Sequence, residues 1–189
     1  MQRLSDIALI AQVVTFGSER AFEQLVRAHQ EAVRRFLCRL TAGDEMRADD
    51  LAQETFIRAW QGLSSFRQLS GFETWLLRIA YRVFLDDERK EAHSPLSHEG
   101  ENLDTLDSCA SATPLSSREG SEVGLSMDLD QALSTLSETE RTCIILQCVE
   151  GQSIKEIAQV TGLPENTVKS HLLRGKKNLA NYLRRNGYY

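Results

Sequence analysis

Between Asn166 and Tyr189 the chain carries Lys169, Arg174, Lys176, Lys177, Arg184 and Arg185 and not one Asp or Glu. Such side chains donate to phosphate oxygens and base edges, so the chemistry they suit is recognition of a polyanion rather than bond-making. The whole 189-residue chain has a formal net charge of −5, which by itself argues against nucleic acid; the acid-free tail reverses that reading locally. Helical spacing puts Val168, Leu172, Gly175 and Leu179 on one face and Lys169, Ser170, Arg174 and Lys177 on or near the other. Gly175 on the inward face implies close approach of a second helix. Upstream, Ser153 and Glu156 have capping-box spacing for a helix reaching about Val160. Gly162 supplies a turn, and Pro164 fits the first turn of the following helix. This is the pattern of a helix-turn-helix whose second helix offers donors to a major groove. A lone basic face is as often merely solvated; the SIKEIAQVTG segment and the turn tip the balance toward duplex DNA. His171, at the edge of the apolar stripe, reads as a bystander, with a base or phosphate contact as the alternative.

A second group of residues lies between Arg47 and Lys90. On a helix from about Arg47 to Gly62, Leu51, Ala52, Thr55 and Ala59 face inward, and Asp50, Gln53, Glu54, Ile57, Trp60 and Gln61 face out. Exposed Ile57 and Trp60 beside carboxylates suit a protein-docking surface, against the plainer reading that Trp60 packs on a neighbouring helix. After the loop SSFRQLSG, a further helix carries Phe72, Trp75, Arg78, Tyr81, Arg82, Arg89 and Lys90. Rings can stack on unpaired bases while cations follow the backbone, although Phe72 and Trp75 would more often be core residues.

The elements that must position these groups are helical almost throughout. Ala21, Leu25, Ala28, Ala32 and Phe36 step by three or four, as do Leu51, Thr55, Ala59 and Leu63, and Leu76, Ile79, Ala80 and Val83. The periodicity fails between about Glu91 and Ser126. That stretch is rich in Ser, contains Pro95 and Pro114, and has a net charge of −6, leaving about +1 on the rest. It cannot bury enough apolar surface to offset the entropy of ordering it. The expected fold class is therefore all-α, with two small helical domains (1–90 and 126–189) joined by a flexible acidic linker (91–125). As a coil the linker would span roughly 30–35 Å. The MQRLSDIALIAQVV start is too short and interrupted for a signal peptide or membrane span, so a cytoplasmic protein is expected. Cys38, Cys109, Cys143 and Cys148 form no CxxC pair. Cys143 and Cys148 read as buried thiols in an apolar run.

Three segments agree in order and spacing. DDLAQETFIRAW, FETWLLRIA and EGQSIKEIAQVTGLPENTVKSHLLRGKKNL together resemble a bacterial RNA polymerase sigma factor of the extracytoplasmic-function group, over nearly the whole chain outside the linker. The resemblance implies two helical domains. The first would grip the polymerase clamp helices through Asp49, Asp50, Gln53, Glu54, Ile57 and Trp60. It would also open the proximal promoter element. There the loop Phe66, Arg67, Gln68, Ser70 to Phe72 would form a pocket for a flipped-out base, and Trp75, Arg78, Tyr81 and Arg82 would flank the melted strand. The second would meet the distal element as duplex through Glu165, Asn166, Thr167, Lys169, Ser170, His171, Arg174 and Lys177. The resemblance further implies promoter DNA and the core enzyme, clamp and flap, as partners. The acidic linker would pass through channels of the polymerase that otherwise hold nucleic acid. An anti-sigma factor, often membrane-bound, would hold the protein inactive. Tyr81-Arg82 stands where the family usually has Asn, and His171 where it often has Arg.

No nucleophile–base pair, phosphate-binding glycine loop or metal-ligand spacing is present, and His29, His93, His98 and His171 are scattered. A non-enzymatic protein with no cofactor, no metal and no small-molecule substrate is expected. A conventional helix-turn-helix regulator would share residues 126 to 185 but would not need the DDLAQE face. An antagonist mimicking a sigma factor is the third class.

Overall fold

The computed structural model describes residues 2–93 and 131–187, with side chains described from Ser5 onward. The first unit contains α1 (Gln2–Phe16), α2 (Glu19–Leu40), α3 (Glu45–Gly62), a short 3-10 turn (Leu63–Ser65) and α4 (Phe72–Ala92). The second contains a helical stretch at 131–134, then α5 (Glu138–Cys148), α6 (Ile154–Thr161) and α7 (Glu165–Arg185). The described residues are helices and their connections. Most of the linker, with Cys109, Pro95, Pro114 and His98, lies outside them.

Helices α2, α3, α5 and α6 start where a short polar side chain satisfies an orphan backbone N–H. Ser18 accepts from Ala21 N at 3.3 Å and Asp44 from Arg47 N at 3.0 Å. Asp44 therefore starts α3 at Glu45, two residues before the expected Arg47. Ser153 and Glu156 close the expected capping box, at 3.3 and 2.8 Å. Gly162 then takes φ +75° and ends α6, a conformation that costs a side-chain-bearing residue about 1 kcal/mol or more. Pro164 is extended and sits one residue before α7, as its cap, rather than within the first turn.

The buried stripe of α2 differs from the expected one. Ala21, Leu25, His29, Val33, Phe36, Leu37 and Leu40 face inward, while Ala28 is exposed and Ala32 half-buried. Ala21, Leu25 and Phe36 belong to both stripes, and the larger Val33, Leu37 and Leu40 rotate the buried face away from the small Ala28 and Ala32. His29 goes with them, 3% exposed, its Nε2 3.3 Å from the equally enclosed Asp6 carboxylate of α1. Its ring meets Phe72 edge-on at 5.2 Å. In α3 Ala48, Leu51, Thr55 and Ala59 are buried and Ala52 half-buried; in α4 Leu76, Leu77, Ala80, Val83 and Phe84 are buried, and the expected Ile79 is only half-buried. Fully covered Phe36, Leu25, Leu37 and Leu76 contribute roughly 1.5–3 kcal/mol each by burial.

Helix α4 continues to Ala92, two residues past the expected domain edge. Glu91 belongs to it: Arg47 of α3 holds Asp87, Glu88 and Glu91 at 2.7, 2.6 and 3.1 Å. Cys143 is buried as expected, but Cys148 is exposed, because α5 ends there and the chain turns away from its core.

The two units pack on one another, α5 against α2 and α6 against α4, and the hydrophobic core runs through both. Polar bonds reinforce the seam. Arg35 of α2 clasps Glu150 through Nε at 3.0 Å and a terminal nitrogen at 2.7 Å. Thr74 of α4 donates to Gln152 at 3.0 Å, and Arg141 donates to the Leu40 carbonyl at 3.1 Å.

Candidate functional site

Three surfaces carry the residues singled out by the sequence. On α7, Val168, Leu172 and Gly175 turn inward against α5 and α6. The Gly175 approach is as close as its type implied: a Cβ there would lie 2.9 Å from Ile144 Cγ1. With the seam fixed, Glu165, Asn166, Lys169, Ser170, Arg174 and Lys177 are exposed, and Thr167 and His171 half-buried. Arg174 is held loosely from behind, its Nε 3.6 Å from the mostly covered Glu140 and a terminal nitrogen 3.4 Å from His171 Nδ1. His171 thus contacts the guanidinium rather than lying idle at the edge of the stripe. Leu173, not among the residues singled out by the sequence, is 73% exposed. At about 100° per residue it projects between Lys169 and Lys177.

The outer face of α3 presents Asp49, Asp50, Gln53, Ile57 and Trp60 to solvent. Ile57 is 52% exposed and Trp60 40%. The plainer reading of Trp60 holds in part: its ring meets Phe22 of α2 edge-on at 4.9 Å, while its other side stays open to solvent. Asp49 and Glu54 are engaged: Arg34 bonds Asp49 at 2.6 Å, and Arg58 bonds Glu54 at 2.7 Å and Asp86 at 2.8 Å. These hydrogen bonds raise the already high pKa values of both guanidinium groups. Beside Ile57 lies a groove of about 690 Å³ bounded by Val26, Gln30, Glu31 and Arg34 of α2 and by Asp49, Ala52, Gln53, Phe56 and Ile57 of α3. The α2 wall was not legible one helix at a time, because a groove between helices has no signature within either.

The third surface is the loop from Phe66 to Gly71 with α4. Arg67, Gln68 and Leu69 are exposed, and Gln68 adopts φ +57°, a strained conformation for a residue with a Cβ. Phe66, Phe72 and Trp75 form an aromatic cluster with centroids 5.4–5.7 Å apart. Phe72 is 5% exposed and so part of the core, leaving Phe66 and Trp75 half-buried at the rim. A cleft of about 350 Å³ runs along Phe66, Arg67, Ser70, Trp75, Arg78 and Arg82, bounded on its far side by Gln159 of α6. Arg78 and Arg82 are exposed. Tyr81, expected among them, is 6% exposed. Burial pushes its phenol above the ordinary value, Glu138 reinforces that shift, and a hydrogen bond with Thr142 opposes it. The reason is register: Tyr81 lies one position from Ala80 on the side of α4 that faces α5, whereas Arg78 and Arg82 share the open side.

Among the described residues no group of His, Cys, Asp and Glu is placed to hold a metal ion, and no helix is long and apolar enough to cross a membrane.

Residues 25–94 match sigma-70 region 2, and residues 126–179 match sigma-70 region 4. The chain is 31% identical to the ECF RNA polymerase sigma-E factor of Haemophilus influenzae, covering 95% of this chain and 96% of that protein. It is 33% identical to the ECF RNA polymerase sigma factor SigE of Mycolicibacterium smegmatis over 86% of this chain, and spans 62% of that protein's length. Among solved structures it resembles the sigma factor RpoE of Bartonella quintana, determined in complex with the anti-sigma factor NepR. That match has 27% identity, a TM-score of 0.69, and covers 86% of this chain and 96% of the other.

Proposed function

We propose, from the premise that this chain belongs to the extracytoplasmic-function group of sigma-70 factors, that it binds RNA polymerase core and directs promoter recognition, strand opening and initiation. It does so by contact and positioning, not as an enzyme. The observation that carries this reading is the orientation of α7. Its apolar seam is locked by Gly175 against Ile144, which turns Lys169, Ser170, Arg174 and Lys177 outward as a unit. A helix so held enters a major groove with its cations toward phosphates and base edges. Leu173, central to that face, suits apolar contact with a thymine methyl group.

The α3 face supplies the grip on core. Ile57 and the rim of Trp60 are apolar anchors, Asp50 and Gln53 the polar surround, and the adjoining groove accepts a ridge of the clamp helices. The Phe66–Gly71 loop, Trp75, Arg78 and Arg82 contact the melted strand, the rings by stacking and the cations along the backbone. Phe72 supports this surface from beneath. The family resemblance also supports an anti-sigma factor as partner and a cytoplasmic location, with any inner-membrane attachment made through that partner. A stand-alone helix-turn-helix regulator gives no role to the region 2 match or to the exposed Ile57.

Run-off transcription tests the proposal. Core enzyme alone and core with this protein are given genomic template, and transcripts are sequenced. New start sites sharing two spaced elements are the expected result. Tight duplex binding with neither core association nor new transcripts would make it a regulator instead, and suppression of existing transcripts would make it an antagonist.

A further inference from the structure

Asp6 of α1 is an enclosed carboxylate short of partners. It is 5% exposed, and among the described residues its one charged or hydrogen-bonding neighbour is His29, whose Nε2 stands 3.3 Å away without making a hydrogen bond. Covered carboxylates ordinarily fill their acceptor sites, so this one has capacity for a donor that arrives from outside the fold. Asp6 lines a pocket of about 340 Å³ whose apolar walls are Ile7 and Ile10 of α1 and Phe72 of α4. Exposed Ser153 and Lys155 of α6 border it as well. Phe66, Leu69 and Ser70 of the loop are shared between this pocket and the cleft that runs along Arg78 and Arg82. A strand following those arginines therefore passes an apolar recess with a carboxylate in its wall.

We propose that this pocket takes one base of the melted strand and that Asp6 reads it, accepting from an exocyclic amino group, so that cytosine, adenine or guanine is taken and thymine refused. The inference rests on the strand-contact reading of the Phe66–Gly71 loop given above.

The chemistry of the walls selects this ligand class. The volume lies at the small end of the range for small-molecule sites, which suits a single planar heterocycle. Ile7, Ile10 and Phe72 meet its faces, and an ionised carboxylate can only accept at its edge. Amino groups on cytosine, adenine and guanine supply the donor. Thymine has none; the one N–H on its pairing edge lies between two carbonyl oxygens, whose lone pairs the carboxylate repels. His29, braced edge-on by Phe72 at 5.2 Å, stands behind one Asp6 oxygen and leaves the other for the base.

The test uses the full-length chain and fluorescent single-stranded homopolymers in two pairs. Within each pair an amino group is exchanged for a carbonyl: oligodeoxycytidylate against oligodeoxyuridylate, and oligodeoxyadenylate against oligodeoxyinosinate. The expected result is that the amino-bearing member of each pair binds about fivefold or more tighter. Asp6→Asn keeps the shape but replaces an accepting oxygen with an amide donor, and at unchanged helical circular dichroism it brings each pair to within about twofold. If Asp6→Asn loses helicity, Ile7→Trp, at a wall position 39% exposed, fills the pocket from its open side and levels the pairs likewise. Equal binding within both pairs by the parent overturns the proposal, as does a preference that survives in the folded variants. Binding of none of the four strands instead overturns the strand-contact reading itself, so the two failures are distinct.

Discussion

Substitution of Gly175 by Ala sets two effects of opposite sign against each other. In a helix interior Ala is favoured over Gly by about 0.8–1 kcal/mol, so an unhindered site would become more stable. Here the new methyl would lie 2.9 Å from Ile144 Cγ1, 3.3 Å from its Cδ1 and 3.6 Å from Glu140 Cβ. Cγ1 is the first branch of a side chain only 3% exposed, so it cannot swing aside as a flexible tip would, and α7 must shift away from α5. Overpacking of this kind costs typically about 1–3 kcal/mol. The expected net is a loss of up to about 2 kcal/mol, with weaker duplex binding because the recognition face tilts. Urea unfolding followed by circular dichroism measures the first effect and titration with promoter duplex the second. Ile144→Val in the same chain removes Cδ1, the second contact at 3.3 Å, and keeps the branch carbon at 2.9 Å, so the double variant should recover a minor part of the loss, a positive coupling in a double-mutant cycle. A Gly175→Ala protein more stable than its parent, or strict additivity with Ile144→Val, would refute the close-approach argument.

On α7, Lys169→Ala and Arg174→Ala each weaken promoter duplex binding, by about 1–3 kcal/mol where a base edge is read, or with a salt slope reduced by about one where a phosphate is; fluorescence anisotropy at several salt concentrations separates the two. On α3, Gln53→Ala with Ile57→Ala lowers affinity for polymerase core by roughly 1–2 kcal/mol without altering the unfolding midpoint. Trp60→Ala lowers both because its ring also packs on Phe22. Burial pushes the Cys143 thiol from 9.0 up to about 11. Below about pH 9 folded and unfolded chains both keep the proton; between about 9 and 11 only the folded chain does, so folding stability falls as pH rises through that window, by about 2–3 kcal/mol. Cys143→Ala removes that component of the decline in urea midpoints measured across the range, whereas an identical decline would exclude Cys143 as its source.

The helices, the α6 capping box and the inward face of α7 were legible because each is set by residues within a few positions of one another. Ser153 and Glu156 bond across one turn, and Val168, Leu172 and Gly175 share a stripe. What could not be read depends on neighbours distant in the chain. Tyr81 and Arg82 are adjacent and both looked available to nucleic acid; only the arrival of α5 buries the first and leaves the second open. His29 looked like one of four scattered histidines until Asp6 and Phe72 enclosed it. The groove beside Ile57 needs α2 as its second wall.

Glu140 looks misplaced behind a surface meant for a polyanion, yet it lies mostly covered on α5, with Asn178 and Arg174 leaning on it at 3.5 and 3.6 Å. An arginine side chain free in solvent loses up to about 2 kcal/mol of rotamer freedom when a ligand freezes it. In the proposed promoter complex the carboxylate would already have narrowed that choice, so Arg174 would meet the double helix partly aimed, and sharpness of reading there would be owed to an acidic residue on the helix behind.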